Sequence, residues 1–415
     1  MRERLGEIGN YYGTLAVLAL MGALIGAAVG VMDTVFGMGL NMVTALRDLR
    51  PGIWIACMPL AGLVIVFCYR RFGGKAAHGM RLIFDAERGK EKEIPLRVIP
   101  MAVGATWIAH LFGASAGKEG VAMQIGAAFS HWIGRRVPVC RDRTVFLITG
   151  MAAGFGGLFG APVTGVLFSM ELFAAGRLQY QALIPACIAS FTAFVVSDLL
   201  GLPMFDFAVQ PLPLDLILIG KTAVLGGLFG LVGGGFARLL NTARSYVAGR
   251  IGNPYVRIFA LSCVMSLCFL LFFGNRYSGA GVNLIQASFE GGTVYPYDWL
   301  LKILFTVLTV AAGFVGGEVT PLCAVGASLG AVLAPFFGLP ADLAAGLGLA
   351  AVFGSGTNTF LAPIFLGVAI CGYDNLPLFA IVSAVAYAVN LNQTIYPWQE
   401  RAPGRALLHC FREES

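Results

Sequence analysis

The chain has 415 residues, of which 58% are hydrophobic and only 12% are charged. Its mean hydropathy of +0.80 excludes a single soluble domain and is typical of an all-α polytopic membrane protein, with the lipid bilayer as its surroundings. The formal net charge of +6 is modest, so nucleic acid is not expected as a partner.

The first predicted element is a membrane helix. Residues Ile8 to Met32 carry no charge, and a run of this length can cross about 30 Å of hydrocarbon at about 1.5 Å per residue. No cleavage pattern follows, so we expect the helix to be retained. Apolar segments lie at residues 12–32, 52–69, 97–112, 121–134, 144–174, 181–201, 214–241, 257–274, 299–312, 322–337, 341–353, 360–371 and 376–395. Several are too short to span alone, which is typical of broken and partial helices whose ends meet near the midplane.

Positively charged residues indicate the orientation of these segments. Short basic loops beside apolar runs should face the cytoplasm. Both chain ends are also basic, so we expect both termini to be cytoplasmic and the number of crossings to be even. We expect a multi-pass protein of the cell membrane, which is the bacterial inner membrane. The basic residues concerned are Arg135, Arg136, Arg141 and Arg143 in one loop, Arg244, Arg250 and Arg257 in another, and Arg2, Arg4, Arg401, Arg405 and Arg412 at the ends.

Cysteine and histidine do not form a pattern that binds a metal. The nine cysteines are scattered without a Cys-x-x-Cys pair, and the four histidines lie far apart in the sequence. We therefore expect neither a metal nor another cofactor.

A glycine-rich frame occurs twice, two hundred positions apart. The first copy starts at Gly113 and contains Glu119, and the second starts at Gly313 and contains Glu318. Gly-rich turns that open helices leave free amides, which form an anion site. A glutamate beside that site repels the anion when ionised and can donate a hydrogen bond when protonated. The frames therefore predict anion transport coupled to protons at membrane depth. An ordinary ion pair between Lys118 and Glu119 is disfavoured, because adjacent residues on a helix point apart.

A second duplication extends the repeat. Residues 150–162 resemble residues 348–363, with three extra residues in the second copy. The chain is thus predicted to contain a first membrane repeat at 1–205, a second at 206–400 and a short cytoplasmic tail at 401–415. If each repeat holds an odd number of crossings, the second is inverted and the substrate site lies at their interface. A four-residue spacing of glycines on one helix face predicts close packing without a functional role, at Gly226, Gly230 and Gly234.

Together these motifs resemble the CLC chloride channel and transporter family. Gly117-Lys118-Glu119-Gly120-Val121 is similar to its gating-glutamate motif, and the segment from Gly316 to Pro321 is similar to its second anion-binding loop. The resemblance implies a CLC-like inverted repeat, with broken and partial helices meeting at a midplane anion site. It also implies a homodimer with one pathway in each subunit. We expect no regulatory domain after the membrane region.

Three departures from the chloride pattern resemble the fluoride/proton antiporter clade of that family. Gly79-Met80 stands where a serine-containing loop is usual, Glu318 stands where an apolar residue is usual, and Thr320 follows it. A protonated Glu318 could hold fluoride by a short hydrogen bond. Thr320 could orient Glu318 or contact the ion, and Tyr396 could offer its hydroxyl near the inner mouth.

Other positions carry competing interpretations. Met80 could simply fill a gap, Tyr396 could anchor the chain at the membrane interface, and Asn358 is expected to cap a helix. Leu172, beside Glu171, occupies the position of the internal proton-relay glutamate of chloride exchangers, so that proton route is not expected.

The sequence thus predicts an antiporter that exports cytoplasmic fluoride in exchange for protons. Glu119 and Glu318 are the predicted gating and proton-transfer residues. The predicted anion-binding residues are Gly79, Met80, Gly117, Lys118, Glu119, Gly120, Gly317, Glu318, Val319, Thr320 and Tyr396. A chloride/proton antiporter or a passive halide channel remains an alternative, with chloride as substrate. A membrane-embedded hydrolase would need an activated nucleophile, and only the apolar-flanked Cys323 lies near either glutamate.

Overall fold

The computed structural model describes residues 2–137 and 142–401, with side chains from residue 12 onwards. Five of the twelve basic residues predicted to mark the cytoplasmic side lie outside these described side chains. They are Arg2, Arg4, Arg141, Arg405 and Arg412. The cytoplasmic position of both termini therefore stays a prediction.

The described residues are predominantly α-helical, which confirms the predicted fold class. The first half contains α1 (Arg2–Leu49), α2 (Pro51–Ala56), α3 (Met58–Cys68), α4 (Met80–Glu87), α5 (Val98–Leu111), α6 (Glu119–Gly134), α7 (Thr144–Phe159), α8 (Pro162–Glu171) and α9 (Leu183–Leu199). The second contains α10 (Leu216–Arg250), α11 (Pro254–Cys268), α12 (Val282–Phe289), α13 (Asp298–Ala312), α14 (Val319–Phe337), α15 (Ala341–Thr357), α16 (Leu361–Cys371) and α17 (Leu376–Val389).

Within the described part of the chain, five helical stretches are long and apolar enough to cross a membrane. They are Tyr12–Leu49, Tyr180–Leu199, Leu216–Arg250, Pro254–Phe273 and Val319–Phe337. Other apolar helices, among them α5, α7 and α16, have only 10–17 residues. The mixture of spanning and partial helices agrees with the prediction from the short apolar segments.

Three boundaries differ from the sequence prediction. The first helix does not end at residue 32 but continues to Leu49, because Asp33 is fully buried and does not interrupt it. The apolar segment 144–174 is divided at Gly160, which adopts a φ of +74°, and at Pro162, which starts α8. The prediction of a basic loop containing Arg244, Arg250 and Arg257 was wrong: Arg244 and Arg250 lie in the 35-residue helix α10, and Arg257 lies in α11.

The two halves repeat the same backbone features two hundred residues apart. Gly79 and Gly279 adopt φ values of +54° and +65°, and Gly113 and Gly313 adopt +86° and +105°. These left-handed conformations favour glycine because other residues carry a Cβ that clashes there. A glycine with positive φ thus precedes both α4 and α12, and another follows both α5 and α13. The repeat boundaries near residues 205 and 400 stay a prediction.

Glycines allow the long helices to pack at backbone distance. A Cβ added at Gly226, Gly230 or Gly234 of α10 would meet a carbonyl oxygen of α17 or of the residue after it at 2.6–2.8 Å. The equivalent glycines of α1 approach α9 in the same way. This confirms the interpretation of these glycines as packing positions.

We expect Gly126→Ala to prevent stable folding. A Cβ at this position in α6 would lie 1.9 Å from the carbonyl oxygen of Gly150 in α7, and backbone cannot move aside as a side chain can. The expected cost is about 3 kcal/mol or more. The check is the midpoint temperature of thermal unfolding in detergent. The matched control is Gly227→Ala in α10, where nothing lies within 4 Å of the added Cβ, and an equal loss in both variants would contradict the packing account.

Candidate anion site

The two glycine frames meet at the centre of the molecule. The amide of Gly117 donates a hydrogen bond to the carbonyl oxygen of Gly317 at 2.5 Å, and the amide of Gly317 donates back at 2.8 Å. This antiparallel pair brings the N-termini of α6 and α14 together. Lys118 and Glu318 are the N-cap residues of these helices. Glu318 therefore corresponds to Lys118, and not to Glu119, in the repeat.

Glu119 binds the N-terminus of the opposite helix. Its side chain is fully buried, and its carboxylate accepts hydrogen bonds from the Thr320 amide at 3.1 Å and the Thr320 hydroxyl at 2.5 Å. The amide of Lys118 adds a third bond at 3.2 Å. Free amides in the first turn of a helix attract negative charge. The Glu119 carboxylate therefore occupies a position at α14 that suits an anion.

The structure contradicts one predicted role of Thr320, the orientation of Glu318. Both its amide and its hydroxyl bind Glu119, so it orients that residue and not Glu318. The reason is that Thr320 lies two residues inside the helix, on the side that faces α6, whereas Glu318 caps the helix and points away.

A cavity of about 370 Å³ lies beside the paired glycines, with Gly316 and Glu318 of the second frame in its wall. Gly79 and Met80 line it from the turn before α4, and Glu318 and Tyr396 line it from the second half of the chain. The structure thus brings four of the predicted residues to one cavity. The remaining backbone positions of the set are buried where the frames meet, at Gly117, Gly120, Gly317 and Val319.

Glu318 forms an ion pair that the sequence did not predict. Arg244 of α10 donates to the Glu318 carboxylate at 2.9 Å, and the side chains of Arg244 and Glu318 are 34% and 13% exposed. Arg257 also lines the cavity. Glu318 is therefore held by a cation at the cavity wall. The sequence did contain a signal that Arg244 lies in a helix, because neither Gly nor Pro occurs between residues 236 and 248.

Lys118 contributes its backbone to the site, whereas its ammonium points elsewhere. The Nζ atom lies 6.0 Å from the centre of the Phe205 ring, within the range of a cation–π contact. Asp33 of α1, whose carboxylate attracts Lys118, is fully buried. Neither oxygen of Asp33 has a hydrogen-bond partner among the described residues. No sequence pattern pointed to Asp33.

Glu171 caps a helix of the other repeat. Its carboxylate accepts hydrogen bonds from the amides of Phe360, Leu361 and Ala362 at 2.9–3.2 Å, at the start of α16. Leu172 beside it is fully buried. Glu171 thus has a structural partner that explains its burial. Asn358 ends α15 with a φ of +57°, which confirms its predicted role as a cap.

We expect Glu171→Ala to destabilise the protein without changing its transport chemistry. The substitution leaves three amides at the start of α16 without their acceptor, and losing such a cap costs about 1–2 kcal/mol. The midpoint temperature of thermal unfolding should fall in Glu171→Ala. It should fall less in Glu171→Gln, because that side chain keeps one acceptor oxygen. Equal midpoints in the wild-type chain and in Glu171→Ala would show that the cap contributes nothing.

Comparison with known proteins agrees with this geometry. Residues 61–391 match the family model described as voltage gated chloride channel. The chain belongs to the CLC family. A chloride/fluoride channel protein of Pseudomonas syringae pv. tomato is 35% identical to this CLC protein over 391 residues, which cover 92% of this chain and 85% of the relative. An H(+)/Cl(-) exchange transporter, ClcA, of Vibrio cholerae is 26% identical over 74% of this chain and 70% of its own length.

Solved structures of CLC proteins share the fold. The crystal structure of a CLC-type fluoride/proton antiporter superposes with a TM-score of 0.92 at 43% identity, covering 94% of this chain and 98% of that chain. A slow cyanobacterial Cl-/H+ antiporter superposes with a TM-score of 0.77 at 18% identity, covering 90% and 94% of the two chains. The second likeness concerns the fold alone, whereas the first extends to the sequence.

Proposed function

We propose that this CLC protein is a fluoride/proton antiporter that exports cytoplasmic fluoride while protons enter. The observation that carries the proposal is the contact between Glu119 and Thr320. A carboxylate that occupies the amide and hydroxyl of Thr320 competes with any anion for the same donors. Anion binding and the charge of Glu119 are therefore linked, which is the requirement for exchange.

Protonation of Glu119 is the step that opens the site. A neutral carboxyl binds the Thr320 amide more weakly than a carboxylate, because charge-assisted hydrogen bonds are roughly twice as strong as neutral ones. Fluoride then takes the donors at the N-terminus of α14, and Glu119 carries its proton away from them. When Glu119 returns as a carboxylate, fluoride is displaced. Each passage of the anion is thus accompanied by a proton transfer.

The cavity between the two halves supplies fluoride from the cytoplasmic side. Arg244 and Arg257 give it positive charge, which attracts an anion. A proton on Glu318 weakens its bond to Arg244 and provides a donor to fluoride, which forms stronger hydrogen bonds than chloride because it is smaller. Met80 narrows the same cavity without adding a donor, and Tyr396 offers its hydroxyl there.

Likeness to known proteins supports fluoride as the ion. The 43% identical solved structure is that of a fluoride/proton antiporter, and the 35% identical relative is a chloride/fluoride channel protein. We further propose that the chain works as a homodimer in the bacterial inner membrane, with cytoplasmic termini. The apolar side chains exposed on α9, such as Phe191 and Val195, would contact lipid or the second subunit.

An ion-substitution flux assay tests this function. We reconstitute the purified protein in liposomes and record fluoride or chloride with electrodes while a trapped dye reports pH. Fluoride efflux accompanied by proton uptake supports the proposal. Equal fluxes of chloride and fluoride would favour the chloride/proton antiporter, and fluoride flux without proton movement would favour a passive channel.

A further inference from the structure

Lys302 is a buried cation without an acidic partner. It lies in α13 with no exposed surface, and its Nζ donates to the hydroxyl of Ser115 at 2.9 Å and to the carbonyl oxygens of Gly279 and Tyr277 at 2.8 and 3.2 Å. Three acceptors match the three protons of an ammonium group. Among the described residues, no carboxylate oxygen lies within 4.0 Å of this nitrogen.

The surroundings of Lys302 are positive as well. Arg47, at the end of α1, donates to the carbonyl oxygen of His110 at 3.2 Å and lies close to Gly279. His110 is buried beside both cations, and its Nε2 has no hydrogen-bond partner among the described residues. Asp48, which pairs with Arg47 at 2.9 Å, is 45% exposed. Lys302 is thus the cation of this group that lacks a carboxylate partner, and burying such a charge is costly unless an anion compensates it.

The repeat relates this place to the cytoplasmic cavity. The acceptors of Lys302, which are Tyr277, Gly279 and Ser115, correspond to the residues two hundred positions away, which are Ala77, Gly79 and Val315. All three of these corresponding residues line that cavity. Lys302 therefore occupies the place in the repeat that corresponds to the cavity. The ammonium and its acceptors fill the space that remains open on the cytoplasmic side.

This counterpart is closed in the structure. The amide of Gly279 donates to the carbonyl oxygen of Ala114 at 3.1 Å, which joins the turn before α12 to the first frame. On the cytoplasmic side, the amide of Gly79 donates a hydrogen bond to the carbonyl oxygen of Ala76 within its own turn. The cavity thus opens where the turn at Gly79 makes no such bond to the second frame. Around Lys302, in contrast, the bond from Gly279 to Ala114 joins the corresponding turn to the first frame.

Lys302 and the cavity adjoin different parts of α13: Lys302 lies near its start, whereas Val310, Ala311 and Gly313 at its end line the cavity. Three turns of α13, about 16 Å, separate Lys302 from Gly313, which lines the cavity. Ser115, which accepts the bond from Lys302, precedes Gly117 by two residues in the first frame. If the two repeats are inverted, as the proposed function requires, Lys302 lies on the side to which fluoride is exported.

We propose that Lys302 and Ser115 form an outer binding site for a small anion, which fluoride occupies after it leaves Thr320. This inference rests on the proposed fluoride/proton exchange. The ammonium exchanges one neutral acceptor for the anion, and opening of the Gly279–Ala114 contact releases the anion to the outside. Arg47 adds positive charge to the same exit.

Sided membrane vesicles test the outer site. Lys302→Met and Lys302→Arg are produced in a host without its own fluoride exporters, and fluoride uptake is measured in right-side-out and everted vesicles. We expect Lys302→Met to raise the half-saturating fluoride concentration at least fivefold in right-side-out vesicles and to leave it unchanged in everted ones. Lys302→Arg, which keeps the charge, should stay within twofold of the wild-type chain in both.

Two further variants test whether the charge of Lys302 holds the anion. Ser115→Ala removes a tether of Lys302 but leaves the charge, so it should shift the outer half-saturation less than Lys302→Met does. If Lys302→Met does not fold, Lys302→Gln, which keeps two N–H donors without the charge, takes its place under the same criteria. An unchanged outer half-saturation in a folded, uncharged variant would overturn the proposal. Absence of fluoride-coupled proton movement in the wild-type chain would instead overturn the proposed exchange.

Discussion

Glu119→Gln is expected to abolish fluoride-driven proton movement. The amide has nearly the same size as the carboxyl and still accepts a hydrogen bond from the Thr320 amide, but it cannot carry a proton. A positioned acid or base contributes roughly a hundredfold or more to proton transfer, so we expect coupled proton flux to fall by at least about that factor. Fluoride flux should persist, because a neutral side chain competes more weakly for the donors at α14.

The matched control for this prediction is Glu171→Gln. It makes the same chemical change at another buried glutamate, whose carboxylate binds only backbone amides at the start of α16 in the structure. Proton coupling should survive there. The measurement is the pH change inside liposomes after a fluoride gradient is applied. If the Glu119→Gln protein moved protons at the wild-type ratio to fluoride, Glu119 would not be the proton carrier.

Arg244→Met is expected to slow fluoride efflux by about tenfold or more. The substitution leaves the Glu318 carboxylate, only 13% exposed, without its cation and removes positive charge from the cavity wall. Losing one partner of such a pair costs about 2–5 kcal/mol, and about 1.4 kcal/mol corresponds to a factor of ten. The initial rate at a fluoride electrode measures the effect.

The double variant Arg244→Met/Glu318→Gln distinguishes the ion pair from general damage. Because no unpaired charge remains in it, fluoride efflux should recover relative to Arg244→Met alone. Its preference for fluoride over chloride should stay reduced, since Glu318 no longer offers a carboxyl group. Additive losses in the double variant would mean that Arg244 and Glu318 act independently.

Local patterns predicted the fold and the centre of the site. Glycine frames and apolar segments identified the membrane repeat, and the motif around Glu119 identified the residue that lies between α6 and α14. These features depend on neighbours in sequence, so one sequence suffices to find them. The cap formed by Asn358 was predicted for the same reason, because helix ends have local signatures.

Contacts between distant residues were not predictable in the same way. Arg244 and Glu318 are 74 residues apart, and Thr320 and Glu119 are 201 residues apart. Asp33 and Lys302 were missed because each is a single charge without a motif around it, Asp33 directly after one predicted apolar segment and Lys302 inside another. Only the folded chain shows that Lys302 is buried without an acidic partner and that Thr320 binds Glu119.

Comparing the two frames residue by residue changes the meaning of their glutamates. Lys118 and Glu318 hold equivalent N-cap positions and have opposite charges. Asp33 on the long helix α1 attracts Lys118, and Arg244 on the long helix α10 pairs with Glu318. Glu119 has Val319 as its counterpart. Glu119 therefore has no acidic counterpart in the second half, which instead provides the Thr320 amide and hydroxyl that Glu119 binds.

Uphill proton transport driven by fluoride is the most direct measurement of the central claim, that Glu119 links fluoride passage to protons. Liposomes are loaded with fluoride at equal internal and external pH, and the membrane potential is clamped to zero with potassium and valinomycin. Outward flow of fluoride should drive protons inward and acidify the interior below the external pH. Fluoride efflux with no acidification beyond that of protein-free liposomes would contradict the account.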